Sequence, residues 1–146
     1  MTVWHYSASF ILMVLCYLAV GAGAFFALLP PIFVFGIIPL LETLPAMRDP
    51  LNPGKEEEDR LSRSLSFDLL LYLAVLLQVG LVALLIFYAS RAESVAAIWA
   101  EAISVGLACG IYGINVGHEL GHRPGFWPQT LARISLYSSL YAHFRI

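Results

Sequence analysis

Charge is what this sequence has least of. Only 12% of its 146 residues are charged and 60% are hydrophobic, about half the charged share of an ordinary soluble domain. From Thr2 to Leu41 there is no Asp, Glu, Lys or Arg, and His5 is the one residue there able to carry a proton near neutral pH. No soluble fold of this length covers apolar runs of that kind, which excludes a soluble globular domain and implies a polytopic membrane protein. Cysteine is nearly as scarce. Cys16 and Cys109 each sit inside an apolar run with no CxxC pair, so they are expected as small packing residues, with neither a disulfide framework nor a thiolate metal site implied. A basic stretch ahead of the first apolar run is missing too. Ala22-Gly23-Ala24 has the small-x-small form of a cleavage site, yet the apolar run continues past it, which argues against a cleaved signal peptide. No nucleic-acid partner is expected.

What is present is length enough for several membrane crossings. At ~1.5 Å per residue and a ~30 Å hydrocarbon core, forty uncharged positions are too many for one crossing and suit two. The break belongs at Gly21-Ala22-Gly23, where helix propensity is lowest. That gives spans at 3–20 and 24–43, the second expected to be distorted by Pro30, Pro31 and Pro39. A third span, 69–88, is bounded by Asp68 and Arg91, and a fourth, 94–116, holds one charge, Glu101. The expected fold is all-α: a transmembrane region over 1–116 with four transmembrane helices and a loop at 45–67, then a C-terminal helical segment over 117–146. Glu101 precedes His118 by 17 residues, about 25 Å of helix, which favours a packing role over a ligand. Gln78, mid-span in the third helix, is expected to make an interhelical hydrogen bond.

Basic residues set the orientation. Arg48, Lys55, Arg60 and Arg63 lie in the loop and Arg123, Arg133 and Arg145 follow the fourth span, leaving Arg91 alone on the other side. By the positive-inside rule the N-terminus, the loop and the C-terminal segment face the cytoplasm. His5, between Trp4 and Tyr6, suits an interfacial anchor.

The fourth span runs into "NVGHELGHRPG", 115–125. Residues i and i+4 of a helix share a face, so His118 and His122 can offer their imidazoles to one metal while Glu119 points about 100° away. Gly117 and Gly121 keep this surface thin enough for another helix or a ligand to approach. Asn115, one turn earlier, is placed to orient an imidazole. Read as HExxH the stretch fits a zinc hydrolase with Glu119 as general base, of the intramembrane site-2 kind. Arg123-Pro124-Gly125, however, ends the helix at once. In "FWPQTLARISLYSSLYAHFRI", 126–146, apolar residues form a mostly helical stripe that brings a third histidine, His143, back to the same side.

Together, "FGIIPLLE" (35–42), "DPLNP" (49–53), "NVGHELGHR" (115–123) and "AHFRI" (142–146) resemble the integral-membrane alkane monooxygenases, within the superfamily of membrane fatty-acid desaturases and hydroxylases. The resemblance spans most of the chain. It implies that His118, His122 and His143 correspond to ligands of a histidine-rich centre of two iron ions, with O2 as co-substrate. It also implies terminal hydroxylation of medium- or long-chain alkanes in a bacterial inner membrane, the histidines at the cytoplasmic face, and a rubredoxin or ferredoxin as electron donor. The family usually has aspartate where this chain has Glu42. A fuller second histidine box would follow Ile146, so the 146-residue chain alone is expected to be an inactive N-terminal part of the enzyme. Related fatty-acid or alkyl-aromatic hydroxylases, a zinc protease and a non-catalytic scaffold are the competing readings.

Overall fold

The first apolar helix ends where the glycines predict. In the computed structural model, which describes residues 7–44, 54, 60, 64–92 and 94–144, α1 covers Phe10–Gly21. Gly23 follows with φ 96°, a left-handed conformation that costs glycine little. The next stretch is helical but uneven: a 3-10 turn at Ala24–Leu28, α2 at Leu29–Ile32, a π-helical turn at Phe33–Ile37 and α3 at Ile38–Glu42. Prolines account for the interruptions. Pro30 and Pro39 stand in the first two positions of α2 and α3, where a missing N–H removes no intrahelical bond.

The rest is more regular. α4 covers Leu65–Ala89 and α5 Val95–Ala108; a second π-helical turn, Cys109–Ile114, leads into α6, Asn115–Gly121. Ser94 caps α5, its Oγ accepting from Ala97 N at 3.5 Å. After a tight turn come α7, Phe126–Ser138, and a 3-10 turn, Ala142–Phe144. No strand occurs among the described residues. Three stretches are long and apolar enough to cross a membrane, Phe25–Glu42, Leu65–Ala89 and Val95–Gly121, and α1 is a shorter apolar helix. Residues 3–6 of the expected first span, His5, most of the 45–67 loop and Arg145 lie outside the described residues.

Contacts between helices fix the topology. Cys16 Sγ donates to Ser104 O at 3.5 Å and Tyr112 Oη to Ser9 O, so α1 runs antiparallel to the α5–α6 helix. Met13, Cys16, Leu81, Val105, Ala108 and Tyr112 form the buried core between α1, α4 and α5. Both cysteines are free, Cys16 buried and Cys109 half-buried, as their apolar setting predicts.

α7 turns back along the bundle. Gln129 Nε2 donates to Gly121 O at 2.7 Å, Ser135 Oγ to Gly113 O at 3.1 Å and Ser139 Oγ to Cys109 O at 3.3 Å. As α7 advances, its partners recede along α6, so the two helices are antiparallel. Gln78, near the midpoint of α4 and fully buried, completes the interhelical bonding its position predicts. Its Nε2 donates to Ser138 Oγ and Ser139 Oγ at 2.8 Å, and its Oε1 accepts from Ser135 Oγ at 2.9 Å. Hydrogen bonds between helices in an apolar setting contribute roughly 0.6–2 kcal/mol each. Gln78→Leu should therefore destabilise the fold by about 2 kcal/mol, measurable as a lower midpoint in detergent-titrated unfolding; an unchanged midpoint would show the network to be dispensable.

Candidate functional site

α6 is short because its last residue, Gly121, is followed by His122 as C-cap and then by Arg123-Pro124-Gly125, with Gly125 at φ 121°. The helix stops where the sequence predicts, and it brings His118 and His122 together. Their Nε2 atoms are 3.0 Å apart, with ring centroids 4.5 Å apart and planes at 87°. Both side chains are exposed. On the other faces of α6, Gly117 and Leu120 are buried. Leu120 packs in a small core with Val75 and Ala132, and an ideal Cβ at Gly117 would lie 2.9 Å from Leu136 Cγ. The histidines therefore occupy the one face of α6 that the described helices leave open.

Glu119 does point elsewhere. Arg123 donates to its Oε1 from Nη2 at 3.1 Å and from Nε at 3.4 Å. The same guanidinium forms an ion pair with Asp68 at the start of α4. Arg123 is thus a clamp between two helix ends, and a general-base role for Glu119, as the zinc-hydrolase reading requires, would compete with that pairing. Asn115 is exposed, and its Nδ2 donates to Ile111 O at 2.7 Å, a carbonyl in the widened π-helical turn.

His143 does not join the pair. It lies exposed on the 3-10 turn after α7, its ring centroid 4.4 Å from that of Tyr141. Among the described residues no group of three His, Cys, Asp or Glu side chains stands close enough to hold a metal ion. The cause is the antiparallel course of α7, which carries its C-terminal end towards Cys109 and away from Gly121; Leu140, at φ 56°, then turns the chain. Gly113, Gln129 and Asp68 are structural determinants of the site that the sequence reading passed over. Gly113 had a signal, its spacing of four from Gly117; Gln129 and Asp68 had none.

An all-helical protein with membrane-length helices and a two-histidine site at a helix end is the class that these features define. No protein-family model matches the chain, and no solved structure does. Curated proteins do. The chain is 31% identical over 129 residues to alkane 1-monooxygenase of Pseudomonas putida, covering 86% of this chain and 31% of that protein. Against alkane 1-monooxygenase of Ectopseudomonas oleovorans it is 31% identical over 127 residues, with 86% and 31% covered. Against alkane 1-monooxygenase 1 of Alcanivorax borkumensis it is 28% identical over 113 residues, with 77% and 28% covered. This is an alkane monooxygenase-like membrane protein, and the chain spans about a third of the length of the curated relatives it matches.

Proposed function

We propose that the protein carrying this chain is an alkane 1-monooxygenase, hydroxylating the terminal carbon of medium- or long-chain alkanes with O2, and that His118 and His122 are ligands of its di-iron centre. The similarity to curated alkane 1-monooxygenases carries the reaction, and the 3.0 Å separation of the two Nε2 atoms supports the ligation. Two imidazole nitrogens on one metal ion, at bonds of about 2.1 Å, stand about 3 Å apart when they occupy neighbouring octahedral positions. The donors therefore fit. Two iron ions need further nitrogen or oxygen donors, and the resemblance offers His143 as a candidate among them. Iron, when bound, supplies the activation of O2 that breaking an unactivated C–H bond requires.

The chain's own share is to hold two imidazoles one helical turn apart on an open face of α6 and to fix the end of that helix through Arg123. An alkane dissolved in lipid would reach the open face of α6 from between the helices. The likeness to bacterial membrane enzymes supports placement in the inner membrane, and the basic residues support an orientation with the histidines at the cytoplasmic face, which would let a rubredoxin or ferredoxin deliver electrons there. With Arg123 paired to two carboxylates, the exposed Arg133 is the described cation best placed to meet an acidic donor.

The test is the full-length protein in membranes, supplied with an electron donor, 18O2 and a panel of n-alkanes, alkyl-aromatics and fatty acyl chains. Two irons per chain and 18O-labelled 1-alkanols are expected. Product from the fatty acyl chains alone would move the protein to a related hydroxylase. Zinc in place of iron, with peptide cleavage, would overturn the proposal.

A further inference from the structure

A cavity of about 300 Å³ lies between α1, α4 and α6, walled by Phe10, Phe67, Leu71, Ala74, Tyr112 and Val116. That volume is at the lower end of the range for ligand pockets. Its walls are mainly apolar, with Ser9 at the rim and the Tyr112 hydroxyl given to Ser9 O. A saturated hydrocarbon chain is the chemistry that suits such a lining.

The cavity is not on the face that carries the histidines. Val116 and His118 are two residues apart on α6, about 200° around the helix, and the imidazoles are on its open side. A chain in the cavity is therefore directed away from any metal held by His118 and His122. One end of the cavity is charged. The Arg123 guanidinium lies 5.6 Å from the centroid of the Phe67 ring, one of the cavity walls, and is paired with Asp68 and Glu119. Among the described residues paired here, one cation stands against two carboxylates, an excess of one negative charge that repels an anionic headgroup and favours an ammonium.

We propose that this cavity holds an acyl chain of a phospholipid with an ammonium headgroup, phosphatidylethanolamine, seated beside the Asp68–Arg123–Glu119 cluster. The lipid fills the gap between three helices and ties α6 to α1 and α4 from the side opposite the histidines. This site stands independently of the proposed hydroxylase activity.

The test is native mass spectrometry of the purified protein released from nanodiscs containing equal phosphatidylethanolamine and phosphatidylglycerol. The wild-type protein should retain one phosphatidylethanolamine per chain in preference to phosphatidylglycerol. Val116→Phe, which fills the cavity, should lower that occupancy about tenfold, a difference well within the resolution of an affinity measurement, and Ala74→Phe should do the same. Glu119→Gln, which brings the cluster to neutrality, should bring the two lipids to near parity. Equal retention of both lipids by the wild-type protein, a comparison that needs no variant, would overturn the headgroup assignment. Full lipid occupancy in a folded Val116→Phe protein would overturn the acyl-chain assignment.

Discussion

Alanine at position 118 should strip the metal from the full-length protein. In the proposed centre His118 and His122 would act as a chelate: the α6 backbone holds both imidazoles on one face, with Nε2 atoms 3.0 Å apart, so little ordering entropy would remain to be lost on binding. Four-ligand structural metal sites bind with roughly 10–16 kcal/mol, about 3 kcal/mol per ligand. Loss of one member of the pair should therefore weaken binding by about a hundredfold or more, and His122→Ala should match it, the two together costing less than their sum because they serve one ion. Asn115→Ala is the informative contrast. Its Nδ2 is bonded to Ile111 O, so iron content should stay near the wild-type value. Metal analysis of the three variants separates the possibilities. Full iron and full turnover in His118→Ala would remove this histidine from the centre.

Gly113→Leu should unseat α7. An ideal Cβ at Gly113 would fall 2.6 Å from Gln78 Nε2 and inside the van der Waals surface of Ser139 Oγ, so any side chain here enters the hydrogen-bonded contact between α4, α6 and α7. Overpacking a tight contact costs typically 1–3 kcal/mol, and the Gln78 bonds broken by the shift add roughly 0.6–2 kcal/mol each. The sum is about 3 kcal/mol or more, enough to lower the unfolding midpoint sharply and to open α7 to limited proteolysis. Gly121→Ala is the control. Nothing lies within 4 Å of an added Cβ there, so the same gain in helix propensity comes without a clash and the protein should be as stable as the wild type. Equal proteolytic protection in Gly113→Leu would show that α7 is held by something other than this contact.

The contrast between those two glycines also marks where the sequence could be read and where it could not. Gly113, Gly117 and Gly121 share a spacing of four, and nothing in the letters says which of them receives a helix; that depends on Leu136 and Ser139 arriving from α7. The features that follow from one helix alone were legible. The break at 21–23, the uneven second helix around Pro30 and Pro39, the stop after Gly121 and the approach of the two imidazoles are all set within a few residues. Gln78 was legible as well, since an amide amid Leu and Val has few ways to be satisfied other than across a helix interface. The placements of the Asn115 amide and of His143 were not. Asn115 answers to a carbonyl in a widened helical turn that no propensity scale anticipates, and His143 answers to the direction of α7, fixed by Gln78, Ser135 and Gly113 together.

That widened turn, Cys109–Ile114, acts as a spacer in the helical phase. A π-helical turn takes up one residue more than the α turn it replaces. Were these same residues to close into ordinary α turns, everything downstream would advance about 100° around the axis. Val116 would then stand where Gly117 now lets Leu136 approach, and His118 would take the angular position that Glu119 now holds. The faces of α6 thus depend on residue count as well as residue type. The turn therefore sets which face of α6 carries the two histidines.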